Sequence, residues 1–173
     1  VGAWSFCQDK IITTGGEGGM ITTNNSKLWS KIWSYKDHGK SWKAVYGGGA
    51  ATGFRWVHES FGTNLRMTEL QAKIGRLQLA RLNGWNLRRQ AIAEKIWRVA
   101  RKFPTLRVPE TRCNSCDCHD KSRKACVNAA YKCYVFVNDG SVIRDAMIKD
   151  INLMGVPCFS GSCSEVYLET AFV

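Results

Sequence analysis

Apolar, β-branched and aromatic residues crowd into Val1–Phe6 and again into Gly19–Thr23, and both runs have strand character. Between them the glycines Gly15, Gly16 and Gly18 permit a tight turn with exposed backbone. The pattern then changes period. In NNSKLWSKIWSY, Asn24 or Ser26 can cap a helix in which Leu28 and Ile32 fall at helical spacing beside Trp29 and Trp33, and this helix is expected to end near residues 37–39. The run YGGGAATG, with glycines from Gly47 to Gly53, predicts a connection, because so many glycines stabilise neither helix nor strand.

The strongest helix signal begins at Thr68, where Thr68-Glu69-Leu70-Gln71 fits a capping box and Leu70, Ile74 and Leu77 share one face. Asn83-Gly84 is expected to interrupt it. A second helical run then carries Ala91, Ile92, Ile96 and Val99 to a stop before Pro104. These stripes predict a core or a subunit interface. Beyond Pro104 the character shifts: residues 107–124 are polar and loop-like, Ala130–Val137 reads as a strand, and Ser141–Met154 reads as a helix closed by Gly155. A further strand-like VPCF follows. Strand, helix and strand make a small α/β unit, so a domain boundary is expected between Pro104 and Pro109.

Length and charge bound the function classes. The 173 residues suffice for a real core, as one domain or as parts of two. The start at Val1 lacks the basic flank and long apolar core of a secretory signal, and no window approaches about 18 consecutive apolar residues. An opening directly in strand-like sequence and a stop inside EVYLETAFV are expected of a piece of a longer polypeptide. The balance of 25 basic against 14 acidic residues gives +11, yet apart from Lys10 the basic positions are spread from Lys27 to Lys149 without a compact block. This distribution favours an anionic small ligand over nucleic acid. The eight cysteines, without a secretory signal, suit a reduced, cytoplasmic setting. Among them CNSCDCH, with Cys113, Cys116, Cys118 and later Cys126, has the ligand types and short spacing of a zinc site; free loop thiols are the plainer reading.

One lysine stands out. Lys10 lies between an apolar strand and the glycine turn, where it can project into a cleft and offer its amine for Schiff-base chemistry. The segment SFCQDKIITTGGEGGMITTN around it resembles the lysine motif of the DegT-type nucleotide-sugar aminotransferases. Downstream, YKDHGK is similar to the family's His-Gly segment, and FGTNLRMTELQAKIGRLQL to its Gly-x-Asn-x-Arg-Met-x-Glu-x-Gln-Ala helix start. The likeness continues through AYKCYVFV to GVPCFSGSCSEVYLETAF, and covers the second half of the family's length.

The resemblance implies an α/β fold of the pyridoxal-phosphate-dependent transferase type (aspartate aminotransferase, fold type I). Residues 1–104 would form the C-terminal part of the large cofactor-binding domain, and residues 105–173 an incomplete small C-terminal domain. It implies that Lys10 holds pyridoxal 5'-phosphate through a Schiff base and then shuttles a proton, that Ser5 donates its hydroxyl to the cofactor phosphate, and that Asn64 reaches the phosphate of the neighbouring subunit in a homodimer with shared sites. His38 and Arg66 are weaker candidates for holding an anionic substrate, with a capped helix end and a surface ion pair as their structural alternatives. The expected substrates are a nucleotide-linked keto-sugar and an amino-acid donor such as glutamate, on a pathway to surface polysaccharide or secondary metabolites. Neither a membrane nor a nucleic acid is expected as partner. The fragment alone is expected to be inactive, because the family's first half carries the residues that stack on the cofactor ring and pair with its nitrogen. A branch of the family with histidine in place of the lysine performs dehydration, and Lys10 argues against that branch. On the residues alone, a zinc-binding or nucleic-acid module and an inactive family scaffold remain the rivals.

Overall fold

The two apolar runs at the start of the chain pair with each other. The computed structural model describes residues 1–48, 52–110, 127–138, 140–161 and 165–172. In it, β1 (Gly2–Ser5) and β2 (Gly19–Thr22) form an antiparallel ribbon with Gly2 opposite Thr22 and Ser5 opposite Gly19. The Trp4 indole N–H donates to Thr22 Oγ1 across the ribbon at 3.0 Å. The connecting loop folds back over the strand ends: Phe6 N–H donates to Gly18 O at 2.8 Å and Thr14 N–H to Phe6 O at 3.2 Å. Thr14 is buried here, and a Cβ on Gly18 would lie 2.3 Å from its hydroxyl, so this loop closes only over glycine.

Helix α1 (Ser26–Lys36) is capped by Asn25 rather than by Asn24 or Ser26. Asn25 has the extended backbone of a cap residue, which lets its Oδ1 accept the Leu28 N–H at 3.0 Å. A short helix α2 (Trp42–Tyr46), capped by Ser41, follows; five residues are too few to register as a periodic pattern.

Helix α3 (Glu69–Ala100) runs without the expected break at Asn83-Gly84. A glycine inside a helix costs about 1 kcal/mol against alanine, which a long, otherwise favourable helix absorbs. Its start is the capping box read from sequence: Gln71 N–H donates to Thr68 Oγ1 at 3.3 Å, and Thr68 N–H to Gln71 Oε1 at 3.0 Å. The buried face differs from the expected stripe. Ala93, Trp97 and Ala100 are buried, with Ala93 and Trp97 packed together with Ala130, Val108 and Val135, whereas Ile92, Ile96 and Val99 are exposed.

In the C-terminal half, β3 (Leu106–Arg107) and β4 (Phe136–Val137) form a minimal antiparallel pair. The strand expected over 130–137 is reduced to its last two residues. The reason lies in α3, whose side chains take the carbonyls a ladder would use: Arg89 donates to those of Ala129, Ala130 and Tyr131, and the Trp97 indole to that of Tyr134. Helix α4 (Ser141–Leu153) ends as expected at Gly155, with Gly155 N–H bonded to Asn152 O and Val156 N–H to Ile151 O, the pair of bonds that defines a Schellman stop. VPCF is not a strand. Its Cys158 backbone is held at both polar groups by the Asn152 amide (3.1 and 2.7 Å), which ties the segment to the end of α4. Two 3-10 turns, Val166–Leu168 and Thr170–Phe172, complete the described chain.

Residues 1–82 and 83–173 form two compact units, and α3 contributes to both. Among the described residues no helix is long and apolar enough to cross a membrane.

Candidate functional site

Lys10 occupies a turn immediately after β1. Its backbone N–H donates to Cys7 O at 3.1 Å, so the chain reverses as soon as it leaves the strand. The loop that follows is bedded on one face of α3. Gln71 Nε2 donates to Glu17 O at 2.8 Å, Gln78 Oε1 accepts the Thr13 N–H at 2.9 Å, and Ile74 lies beneath Gly15. Positions 71, 74 and 78 follow the helical repeat, so a single face orients the whole turn.

The Lys10 side chain is 36% exposed, less buried than its sequence context suggested, with Nζ 3.1 Å from Asp9 Oδ1. The neighbouring Cys7 thiol titrates above its ordinary range: hydrogen bonding to the Asp9 backbone draws it down, but the Asp9 carboxylate, burial and Glu17 together push it further up. Ser5, at the end of β1, accepts the Cys7 N–H at 3.4 Å, which leaves its own O–H to donate elsewhere.

A second cluster forms where α1 ends. Asp37 bridges to Asn64, and Lys40 to His58, as isolated antiparallel pairs. His38 N–H donates to Thr63 O at 3.1 Å and Leu65 N–H to Lys36 O at 2.9 Å. The two segments are pressed together at Gly39, which has φ +82° and where a Cβ would stand 1.6 Å from Ser60 O. This interlock brings three of the sequence-predicted residues, His38, Asn64 and Arg66, into one group. Arg66 is its hub: Nη1 donates to Asp37 Oδ1 at 2.8 Å, Nε to Asn64 Oδ1 at 3.1 Å, and Nη2 lies 3.4 Å from His38 Nε2. Arginine cannot accept, so a hydrogen bond at this last contact uses the lone pair on His38 Nε2.

Asp37 was missed by the sequence reading, which treated it as a helix end. It is buried, at 8% exposure, and its carboxylate takes the Arg66 guanidinium. The signal available was an acidic residue inside YKDHGK, directly before the His-Gly pair. The chain from Arg66 to Gln71 runs from this cluster to the helix face under the Lys10 loop.

The lysine turn carries a primary amine and the Ser5 hydroxyl, and the separate Arg66 cluster carries an amide whose oxygen is already taken. An amine meets a carbonyl, and O–H and N–H donors meet a phosphate, so these residue types fit pyridoxal phosphate. The cysteines Cys113, Cys116, Cys118 and Cys126 lie outside the described residues, as do residues 49–51 of the glycine run.

Comparison with known proteins gives consistent matches. Residues 1–159 match the model of the DegT/DnrJ/EryC1/StrS aminotransferase family. The X-ray structure of the aminotransferase from Psychrobacter cryohalolentis is 52% identical and superposes with a TM-score of 0.84, over 99% of this chain and 44% of its own. GDP-perosamine synthase of Caulobacter vibrioides is 30% identical over 88% of this chain and 36% of its own length. The dTDP-3-amino-3,4,6-trideoxy-alpha-D-glucose transaminase of Streptomyces venezuelae is 31% identical over 64% of this chain and 26% of its own. The chain thus spans less than half the length of these relatives.

Proposed function

Because the chain belongs to the DegT/DnrJ/EryC1/StrS aminotransferase family, whose sugar aminotransferases are pyridoxal-phosphate-dependent enzymes with this α/β fold, we propose that it forms part of a sugar aminotransferase. The reaction converts a nucleotide-linked keto-sugar to an amino sugar with glutamate as donor. Named relatives that act on GDP- and dTDP-linked sugars support this substrate class. When bound, the cofactor supplies the electron sink that stabilises negative charge at the substrate carbon. The chain's own residues do the rest. Lys10 would hold the cofactor at its carbonyl through Nζ, with water leaving, and its amine, once released, would move a proton at the reacting carbon. Ser5 O–H and the Asn64 amide hold the phosphate, and His38 and Arg66 flank that anion site.

The activity requires a homodimer in which Asn64 serves the partner's cofactor, and contacts from beyond these residues, so the chain alone is inactive. Residues 1–104 belong to the large cofactor domain and 105–173 to the small one. The described free thiols Cys7, Cys133 and Cys158 suit a reducing, cytoplasmic setting.

The observation that carries this reading is the Lys10 turn, held on the Gln71, Ile74 and Gln78 face of α3. Its test is to add pyridoxal phosphate to the full-length protein, reduce with borohydride and map the modified peptide. A pyridoxyl adduct on Lys10, absent from Lys10→Ala, is the expected result; saturating cofactor without that adduct would overturn the reading.

A further inference from the structure

Asn64 has its amide orientation dictated by two groups that can only donate. The Arg66 backbone N–H (3.3 Å) and the Arg66 Nε–H (3.1 Å) both converge on one atom of that amide, which must therefore be Oδ1. Nδ2, on the other arm of the planar group, has no acceptor among the described residues and is left as a donor. A side-chain amide rotated the other way would present an oxygen to a phosphate and repel it. The orientation thus decides whether Asn64 binds an anion or rejects it.

Arg66 can impose that orientation only while its own guanidinium is fixed. Its side chain is 48% exposed and free, on that side, to turn into water. The shorter of its two other side-chain contacts is with Asp37, whose side chain is only 12% exposed and which receives Nη1 at 2.8 Å, against 3.4 Å between Nη2 and His38 Nε2. The planar fork delivers Nη1 to Asp37 and Nε to Asn64 at once, which a single ammonium cannot do. Asp37 is in turn set by the backbone interlock of residues 36–40 with 58–65 and by its bridge to Asn64.

From this geometry we infer that Asp37 is a positioning residue for cofactor binding: through Arg66 it holds the Asn64 amide with its N–H₂ group turned to the phosphate. The inference rests on the reading of Asn64 as a phosphate ligand. It assigns Arg66 to orienting Asn64 rather than to gripping substrate.

The test is a double-mutant cycle on the full-length protein, stripped of cofactor and titrated with pyridoxal phosphate and, separately, with pyridoxal, which lacks the phosphate. Asn64→Ala is expected to weaken pyridoxal phosphate binding about tenfold, the scale of a hydrogen bond to a charged group. Asp37→Asn is expected to weaken it severalfold, and the Asp37→Asn/Asn64→Ala pair to be no weaker than Asn64→Ala alone. Pyridoxal affinity should stay unchanged in all of them. If Asp37→Asn does not fold, Arg66→Lys carries the same expectation. Unchanged affinity in Asp37→Asn, equal losses for pyridoxal, or full additivity with Asn64→Ala would each overturn the inference. Such a result alongside a wild-type adduct on Lys10 leaves the proposed function standing, whereas absence of that adduct removes both.

Discussion

Gly39 is the residue on which the second cluster turns. Its positive φ and the 1.6 Å approach that a Cβ would make to Ser60 O mean that any side chain must push residues 36–40 away from 58–65. Gly39→Ala is therefore expected to destabilise the protein by about 2–4 kcal/mol, within the range of strained-backbone substitutions, and to lower its urea midpoint. Asp37 and Asn64 share that interlock, so the same variant should lose cofactor affinity under conditions where it remains folded. None of this was legible in the motif. A glycine after histidine reads as a helix stop in sequence; only the close passage of the chain some twenty residues later makes it obligatory.

At the scale of elements, α3 joins the features that matter. Its first turns carry the face beneath the Lys10 loop, and its later turns bury Trp97 and present Arg89 to the carbonyls of residues 129–131. Gly84 sits mid-helix in open space, where an added Cβ would meet nothing within 4 Å. Gly84→Ala is expected to stabilise by about 0.5–1 kcal/mol, visible as a higher urea midpoint, because the helix is continuous there. A break at Asn83-Gly84 would give no such gain. The sequence located the helix start through the capping box but misjudged the buried face, since Ile92, Ile96 and Val99 carry the hydrophobicity while Trp97 alone carries an N–H that the passing chain can use. Likewise the apolar 130–137 run looked like a strand, and its backbone acceptors were taken by α3 side chains instead.

For the whole molecule, the proposed homodimer makes a distinctive prediction. Exposed Leu70 and Leu77 on α3, with Phe54, Trp56 and Phe61 in the preceding loop, leave apolar surface of the kind that marks an interface. If Asn64 serves the partner's cofactor, Lys10→Ala, which lacks the amine, and Asn64→Ala, left largely empty when cofactor is limiting, should complement when mixed and reassembled. Each heterodimer would then contain one intact site, and activity should approach about a quarter of wild type by random pairing of subunits. Sites confined to one subunit would give no recovery on mixing.

The amino-acid sequence by itself determined the strand character of the first two runs, the capping box at Thr68, the Gly155 stop and the position of Lys10 between strand and glycine turn. Each of these depends on residues within a few positions of one another, where propensity and local hydrogen bonding suffice. The motifs also carried the family. Only the tertiary structure decided which face of α3 is buried, that Gln71 and Gln78 hold the lysine loop, and that a buried Asp37 reaches Arg66 to set the Asn64 amide. Those arrangements join residues tens of positions apart, and a polar side chain's partner at that distance is chosen by the fold and not by its neighbours in sequence.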